Sequence, residues 1–281
     1  MKLFNRQKIL LNVVEELNEK NIKSRRAIVK SLFLLKEEHG LGKEILFYNF
    51  FAYKQGPFSH LCFHDLRKLR DNNFINEEET TITIEGKKFL NQIGRKHENT
   101  IKIMLKNFSD EKKIMDYVYK KYPQYTIKSE MIEQKQKKAS PRFFTIGYEG
   151  KDIDLFLNVL VSNRIELLID VRKNPFSMNF IYIKGALMKK LKDAGIDYIH
   201  MPELGIESKE RKNLQTKEDY EKLFEKYRKV LPMNEVYINR IIELGTIKRI
   251  VLLCYEADYN LCHRKEISKI IENKGHGMVN L

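Results

Sequence analysis

The sequence predicts an α/β protein. Its C-terminal half reads as a Rossmann-like α/β sandwich with a parallel sheet, and its N-terminal half as a mostly helical winged helix-turn-helix domain. Three observations predict this. After residue 141, apolar runs such as RFFTIG, ELLIDV and RIVLLC alternate with helical stretches, as buried strands joined by helical crossovers do. Before residue 128, apolar residues recur at helical spacing and give way to two short β-type runs. Between them, KSEMIEQKQKKASP (128–141) is polar, charged and aperiodic, the composition of a linker. The expected organisation is a winged-helix-like domain with extra helices over 1–127, a linker over 128–141 and an α/β domain over 142–281.

A chain of 281 residues is long enough for two hydrophobic cores. No run approaches the roughly 18 apolar residues of a membrane helix, so no membrane partner is expected. The first helix is charged throughout and no small-residue cleavage site follows it, which argues against a signal peptide. Three cysteines do not suit a disulfide framework, and a reducing cytoplasm is the expected setting. The net charge of +14 is uneven: residues 1–140 hold 28 Lys and Arg against 18 Asp and Glu, and residues 141–281 hold 24 against 20. The excess reads either as solvated lysine-rich faces or as a half that meets a polyanion, DNA or RNA above all.

In the N-terminal half, residues 9, 10, 13, 14 and 17 form a helical stripe. Ser24 caps a second helix, which Gly40 stops near His39. An aromatic-rich helix is expected over about 43–54, ending at Gly56-Pro57, and Ser59 caps another through about Asn72. Runs over 73–76 and 80–84, joined by an acidic turn, read as a wing, and a further helix starts near Glu85.

The phrases FYNFFAYKQGPFSHLCFHDLRKLRDNNFI and ITIEGKKFL resemble winged-helix modules of bacterial regulators and antitoxin-like proteins, over roughly residues 5–95. That resemblance implies that the helix after Ser59 lies in a major groove, presenting His60, His64, Arg67, Lys68 and Arg70. Lys87 and Lys88 would sit near phosphates on the wing. Asp65 and Asp71 interrupt the basic set, and protein docking is the alternative use. His60-x-Cys62-x-His64 is read as a surface histidine pair, because Cys62 points away from both on a helix.

In the C-terminal half, strands are expected at 142–147, 166–171, 197–200 and 249–254, with a short one in the tail HGMVNL. Asp152 caps the first helix, to about Asn163; a second covers about 184–194, closed by Gly195. Thr216 caps a third to about Val230, and others cover 234–244 and about 262–273. The stretch 207–229 is a solvated amphipathic helix or a lid.

Each strand ends in reactive side chains: Tyr148 and Glu149; Asp170 and Arg172; His200 and Glu203; Cys254 and Glu256, with Cys262, His263 and Arg264 beyond. Ligands of open α/β sheets bind at that edge. The set TIGYEG, LLIDVRKNP, YIHMPELG and LLCYEAD…CHR resembles domain-of-unknown-function family 488 in order and spacing, over about 142–281. The resemblance implies an α/β sandwich with a site but no established reaction. Where that family carries a basic residue after Ser177, this chain has Met178, which removes one anion contact the resemblance implies.

On this reading Asp170, Glu203, Cys262 and His263 are the catalytic candidates, with carboxylates as acid–base groups and Cys262 as nucleophile or structural thiol. Arg172 and Arg264, with Tyr148, Glu149 and Glu256, are the anion-binding candidates. Arg264 stands at a helix N-terminus and Tyr148 is placed to stack a base or sugar. Cys254, inside an apolar run, reads as packed core. A metal site from Cys254, Cys262, His263 and His200 lacks paired-cysteine spacing, so no metal is assigned, and no cofactor. The expected function is an enzyme acting on a nucleotide or other small anion in a nucleic-acid-associated protein. A ligand-sensing DNA-binding regulator and a protein-interaction adaptor are the alternatives.

Overall fold

The computed structural model describes residues 2–76, 80–90, 92–132 and 139–281. The chain divides into two compact units, Met1–Gln136 and Lys137–Leu281. No helix among the described residues is long and apolar enough to cross a membrane.

The N-terminal unit is largely helical, with α1 (Asn5–Glu19), α2 (Arg25–His39), α3 (Leu41–Glu44), α4 (His60–Asp71), α5 (Ile84–Lys87), α6 (Arg95–Lys106) and α7 (Glu111–Lys121). The stripe Ile9, Leu10, Val13, Val14 and Leu17 of α1 is fully buried. The Ser24 hydroxyl accepts from the Ala27 N–H at the start of α2, and Gly40, at φ +66°, takes the left-handed conformation that ends it. Ser59 does for α4 what Ser24 does for α2, accepting from the Cys62 N–H at 3.2 Å.

The aromatic helix expected over 43–54 is not formed. α3 is a single turn, and β1 (Phe51–Tyr53) and β2 (Gly56–Phe58) make a tight antiparallel hairpin. Aromatic residues favour an extended, half-buried surface as readily as a helix. Here Phe51 and Phe58 meet edge to face at 5.7 Å, and His60 stacks on Phe51 at 5.4 Å. Of the expected wing, Ile75 and Ile82 form one antiparallel bridge; the acidic turn at 77–79 lies outside the described residues. Ser129 and Glu130, assigned to the linker from sequence, bond to Tyr119 and to the Lys54 carbonyl. Residues 133–138 of that linker lie outside the described residues.

The acidic residue within the basic α4 phrase faces inward. Buried Asp65 accepts from Arg6 Nε and Gln7 Nε2, both at 2.7 Å, and from the Tyr48 hydroxyl at 3.2 Å. A carboxylate can be buried there because an opposite charge and two hydrogen bonds compensate it. The outward face of α4 is then His64, Arg67, Lys68 and Asp71, all exposed.

The C-terminal unit contains β3 (Arg142–Gly147), α8 (Ile153–Ser162), β4 (Leu167–Asp170), α9 (Lys184–Asp193), β5 (Asp197–His200), α10 (Lys217–Val230), α11 (Glu235–Ile247), β6 (Arg249–Cys254), α12 (Arg264–Asn273) and β7 (Met278–Asn280). All five strands are parallel, in the order β5-β4-β6-β3-β7. Alternate strand residues face opposite sides. Phe143, Leu167, Ile169, Ile250 and Leu252 pack against the apolar faces of α10, α11 and α12. The caps read from sequence are present: Asp152 accepts from the Leu155 N–H, and Thr216 and Asp219 bond reciprocally in a capping box.

This topology sets the position of the site. β4 and β6 are neighbours, yet the chain leaves β4 toward β5 on one side and leaves β6 toward β7 on the other. Connections that diverge from adjacent strands open a crevice at their C-terminal ends, where ligands bind in open α/β sheets.

Candidate active site at the β4–β6 switch point

The crevice holds a cavity of about 740 Å³. Its polar wall includes Tyr148, Lys151, Arg172, Arg211, Cys254 and His263; Phe176, Met178 and Ile206 give it an apolar side.

The ladder between β3 and β6 runs past the strand ends. Gly147 pairs with Cys254, and the Tyr148 and Glu149 N–H groups donate to the carbonyls of Cys254 and Tyr255. The Glu149 carboxylate accepts from the Ala257 N–H at 2.9 Å. The returning loop crosses so close to Gly147 that a Cβ there would lie 1.7 Å from the Glu256 carbonyl oxygen. Only glycine permits this approach.

Along β6, Cys254 is in phase with Ile250 and Leu252, and it ends the strand at the cavity wall. His263 reaches it from the start of α12: His263 Nδ1 is 3.6 Å from Cys254 Sγ and 3.9 Å from Cys262 Sγ. His263 Nε2 lies 3.2 Å from the Val171 carbonyl. A carbonyl only accepts, so Nε2 carries a proton and Nδ1 faces the sulfurs. The Glu256 carboxylate stands 3.2 Å from Cys254 Sγ and is paired with Arg211. Donor atoms of Cys254, Cys262 and His263 all fall within 4.8 Å of one another, a set able to hold a metal ion.

The electrostatics are coupled. Burial opposes ionisation of Cys254, but a hydrogen bond with Cys262 and the charges of His263 and Arg211 outweigh it and hold its pKa well below the usual thiol range. Burial and the neighbouring Cys254 push Cys262 well above that range. His263 is raised: burial disfavours its charge, but Cys254 more than compensates. Burial, then Cys254, raises Glu256 against the pull of Arg211.

The residues expected from sequence divide into two groups. Tyr148, Glu149, Arg172 and His263 line the cavity. Asp170 is fully buried beneath it, accepting from Arg172 Nε at 2.8 Å and Nη2 at 2.6 Å and from the Tyr198 hydroxyl at 2.8 Å. Arg172 also donates to the Tyr148 hydroxyl and the Tyr182 carbonyl, so its guanidinium is engaged by protein groups. The Tyr148 ring stacks on Tyr182 at 4.2 Å, which occupies the face expected to receive a base. Arg264 is buried away from the cavity, donating to the Glu256 and Ala257 carbonyls at 2.6 and 3.3 Å and braced over the Tyr259 ring. It holds the loop that carries Glu256 and is not disposed as an anion clamp. Glu203 turns to the Tyr237 hydroxyl. Cys262 sits behind the wall, and His200 faces the Arg172 carbonyl at 2.9 Å, apart from the other three metal candidates.

Three cavity cations were not expected from sequence: Arg211, Lys151 and Lys173, the last paired with Glu207. Arg211 comes from a 3₁₀ turn (Ser208–Arg211), and Lys151 from the turn before α8, where its ammonium donates to the Gly147 carbonyl at 2.9 Å. In the N-terminal unit, His60 packs between Phe51 and Phe58, Lys87 pairs with Glu15 and Lys88 with Glu85.

Residues 152–271 match the family model described as Domain of unknown function DUF488. The C-terminal unit belongs to the DUF488 family. The match takes in Asp170, Arg172, Arg211, Cys254 and His263, and the DUF488 domain adds β3 and its Tyr148-Glu149 turn from just outside the matched residues. No curated protein and no solved structure matches the chain.

Proposed function

We propose that the DUF488 domain is an enzyme acting on a small anionic, nucleotide-like substrate, with Cys254 and His263 as the reacting end of its cavity. The carrying observation is the 3.6 Å approach of His263 Nδ1 to Cys254 Sγ on the wall of a cavity at the sheet's switch point. Buried thiols that only pack do not need a histidine oriented by a backbone carbonyl. Arg211, through the N–H groups not spent on Glu256, and Lys151, beside its bond to the Gly147 carbonyl, support an anion at the polar end in place of Arg172 and Arg264. Phe176 and Met178, 67% and 89% exposed, offer an apolar side to a planar body such as a base. The test is turnover of a panel of nucleotides followed by mass spectrometry. Cys254→Ala and His263→Ala should each lower it by about 10²-fold or more, the usual contribution of a positioned reacting group. Turnover retained in both variants would place the chemistry elsewhere.

The N-terminal unit, on the same reading, contacts nucleic acid as a winged-helix module. The exposed His64, Arg67 and Lys68 on one face of α4 favour this. Replacing Arg67 and Lys68 with Ala should weaken binding to mixed-sequence duplex DNA and lower the salt slope by about two. Unchanged affinity and slope would instead point to protein docking.

A further inference from the structure

We infer that Cys254, Cys262 and His263 bind a zinc ion whose open coordination position faces the cavity. With Zn–S near ~2.3 Å and Zn–N near ~2.0 Å, tetrahedral coordination sets sulfur and nitrogen donors roughly 3.5 Å apart and two sulfurs roughly 3.8 Å apart. His263 Nδ1 lies 3.6 Å from Cys254 Sγ and 3.9 Å from Cys262 Sγ, and the three donor atoms fall within 4.8 Å of one another. All three side chains are buried, and none is in a disulfide.

The histidine is prepared as a ligand. Its Nε2–H donates to the Val171 carbonyl at 3.2 Å, which fixes the ring and leaves the Nδ1 lone pair toward the sulfurs. A metal-bound histidine almost always has its second nitrogen held in this way. Two thiolates and an imidazole form a soft donor set that suits zinc better than magnesium or calcium. Cys254 and His263 line the cavity and Cys262 lies behind them, so the three hold the ion from its buried side. Three protein ligands with a fourth position open to a cavity is the catalytic pattern for zinc, whereas structural sites close all four. Glu256, 3.2 Å from Cys254 Sγ and paired with Arg211, stands beside that position. The ion there acts as a Lewis acid toward a phosphoryl or carbonyl oxygen of the substrate. The catalytic role of the ion rests on the reading of Cys254 and His263 as the reacting end; its binding does not.

The test uses the full-length chain stripped of metal and titrated with Zn²⁺ and Co²⁺. One equivalent should bind, with the thiolate-to-cobalt charge-transfer absorption and visible d–d bands of a tetrahedral site. Cys262→Ser and His263→Ala should weaken Zn²⁺ binding at least about 10-fold, the lower end of the losses seen when a metal's surroundings are damaged. Cys62→Ala, in the N-terminal unit, should bind as wild type does. Wild-type protein that takes up neither ion, or binds Zn²⁺ equally well without Cys262, overturns the zinc site. The Co²⁺ spectrum of the wild-type chain decides the matter even where a variant fails to fold. Nucleotide turnover by protein that takes up neither ion would overturn the metal and keep the active site; zinc uptake with turnover surviving Cys254→Ala would do the reverse.

Discussion

Replacing Asp170 with Ala is expected to destabilise the C-terminal unit by about 3–5 kcal/mol, the cost of leaving one partner of a buried ion pair uncompensated. The Asp170 carboxylate is fully buried and accepts two N–H groups of the Arg172 guanidinium and the Tyr198 hydroxyl, and the Arg172 backbone N–H as well. Without it, a 5% exposed guanidinium keeps neutral partners such as the Tyr148 hydroxyl and the Tyr182 carbonyl but loses its carboxylate. Denaturant unfolding followed through this unit measures the loss, and thermal unfolding should fall on the order of 10 °C. Replacing Arg172 with Met in the same chain should recover much of it, because removing both charges costs far less than stranding one. A single variant as stable as wild type would show that the pair does not support the cavity floor. This prediction also separates the structural role given to Asp170 by its contacts from the acid–base role read from sequence.

Gly147→Ala should cost about 3 kcal/mol, at the upper end of what overpacking a close-packed interior does. A methyl group cannot share space with a carbonyl oxygen 1.7 Å from its position, so the Glu256–Ala257 peptide must move. That peptide supplies one of the two carbonyls that hold Arg264 and adjoins the other, and it follows Cys254 by two residues. The variant should therefore lose Zn²⁺ affinity and stability together, read by metal titration and denaturant unfolding on the same preparation. Wild-type stability would contradict the close crossing of the β3 and β6 loops.

Much of the C-terminal fold was legible because buried parallel strands write themselves as uninterrupted apolar runs. RFFTIG, LLID and RIVLLC became β3, β4 and β6, and Asp152 and Thr216 capped the helices their positions implied. The N-terminal half was less legible around residues 43–58, where closely spaced aromatics fit a helix or a hairpin and packing among Phe51, Phe58 and His60 decided for the hairpin.

The candidate site was legible as a location and less so as a set of roles. Strand ends on one edge of a parallel sheet lie close together, and Tyr148, Glu149, Arg172 and His263 line one cavity there. Which cation faces the cavity depends on contacts far apart in sequence. Nothing local shows that Arg264 turns back to the carbonyls of the preceding loop, or that Arg211, inside a polar excursion, swings in to meet Glu256. Cys254 was hidden as a site residue by its place in an apolar run, which reads as packed core. Cys254 is the strand's last residue, and the cavity begins where β6 ends.

The most direct test of the account is turnover of the nucleotide panel by wild-type protein and by Cys254→Ala, followed by mass spectrometry at matched folded concentration. The cavity reading predicts a product from at least one anionic substrate and a fall of about 10²-fold or more in the variant. A product formed equally well by both proteins would contradict it.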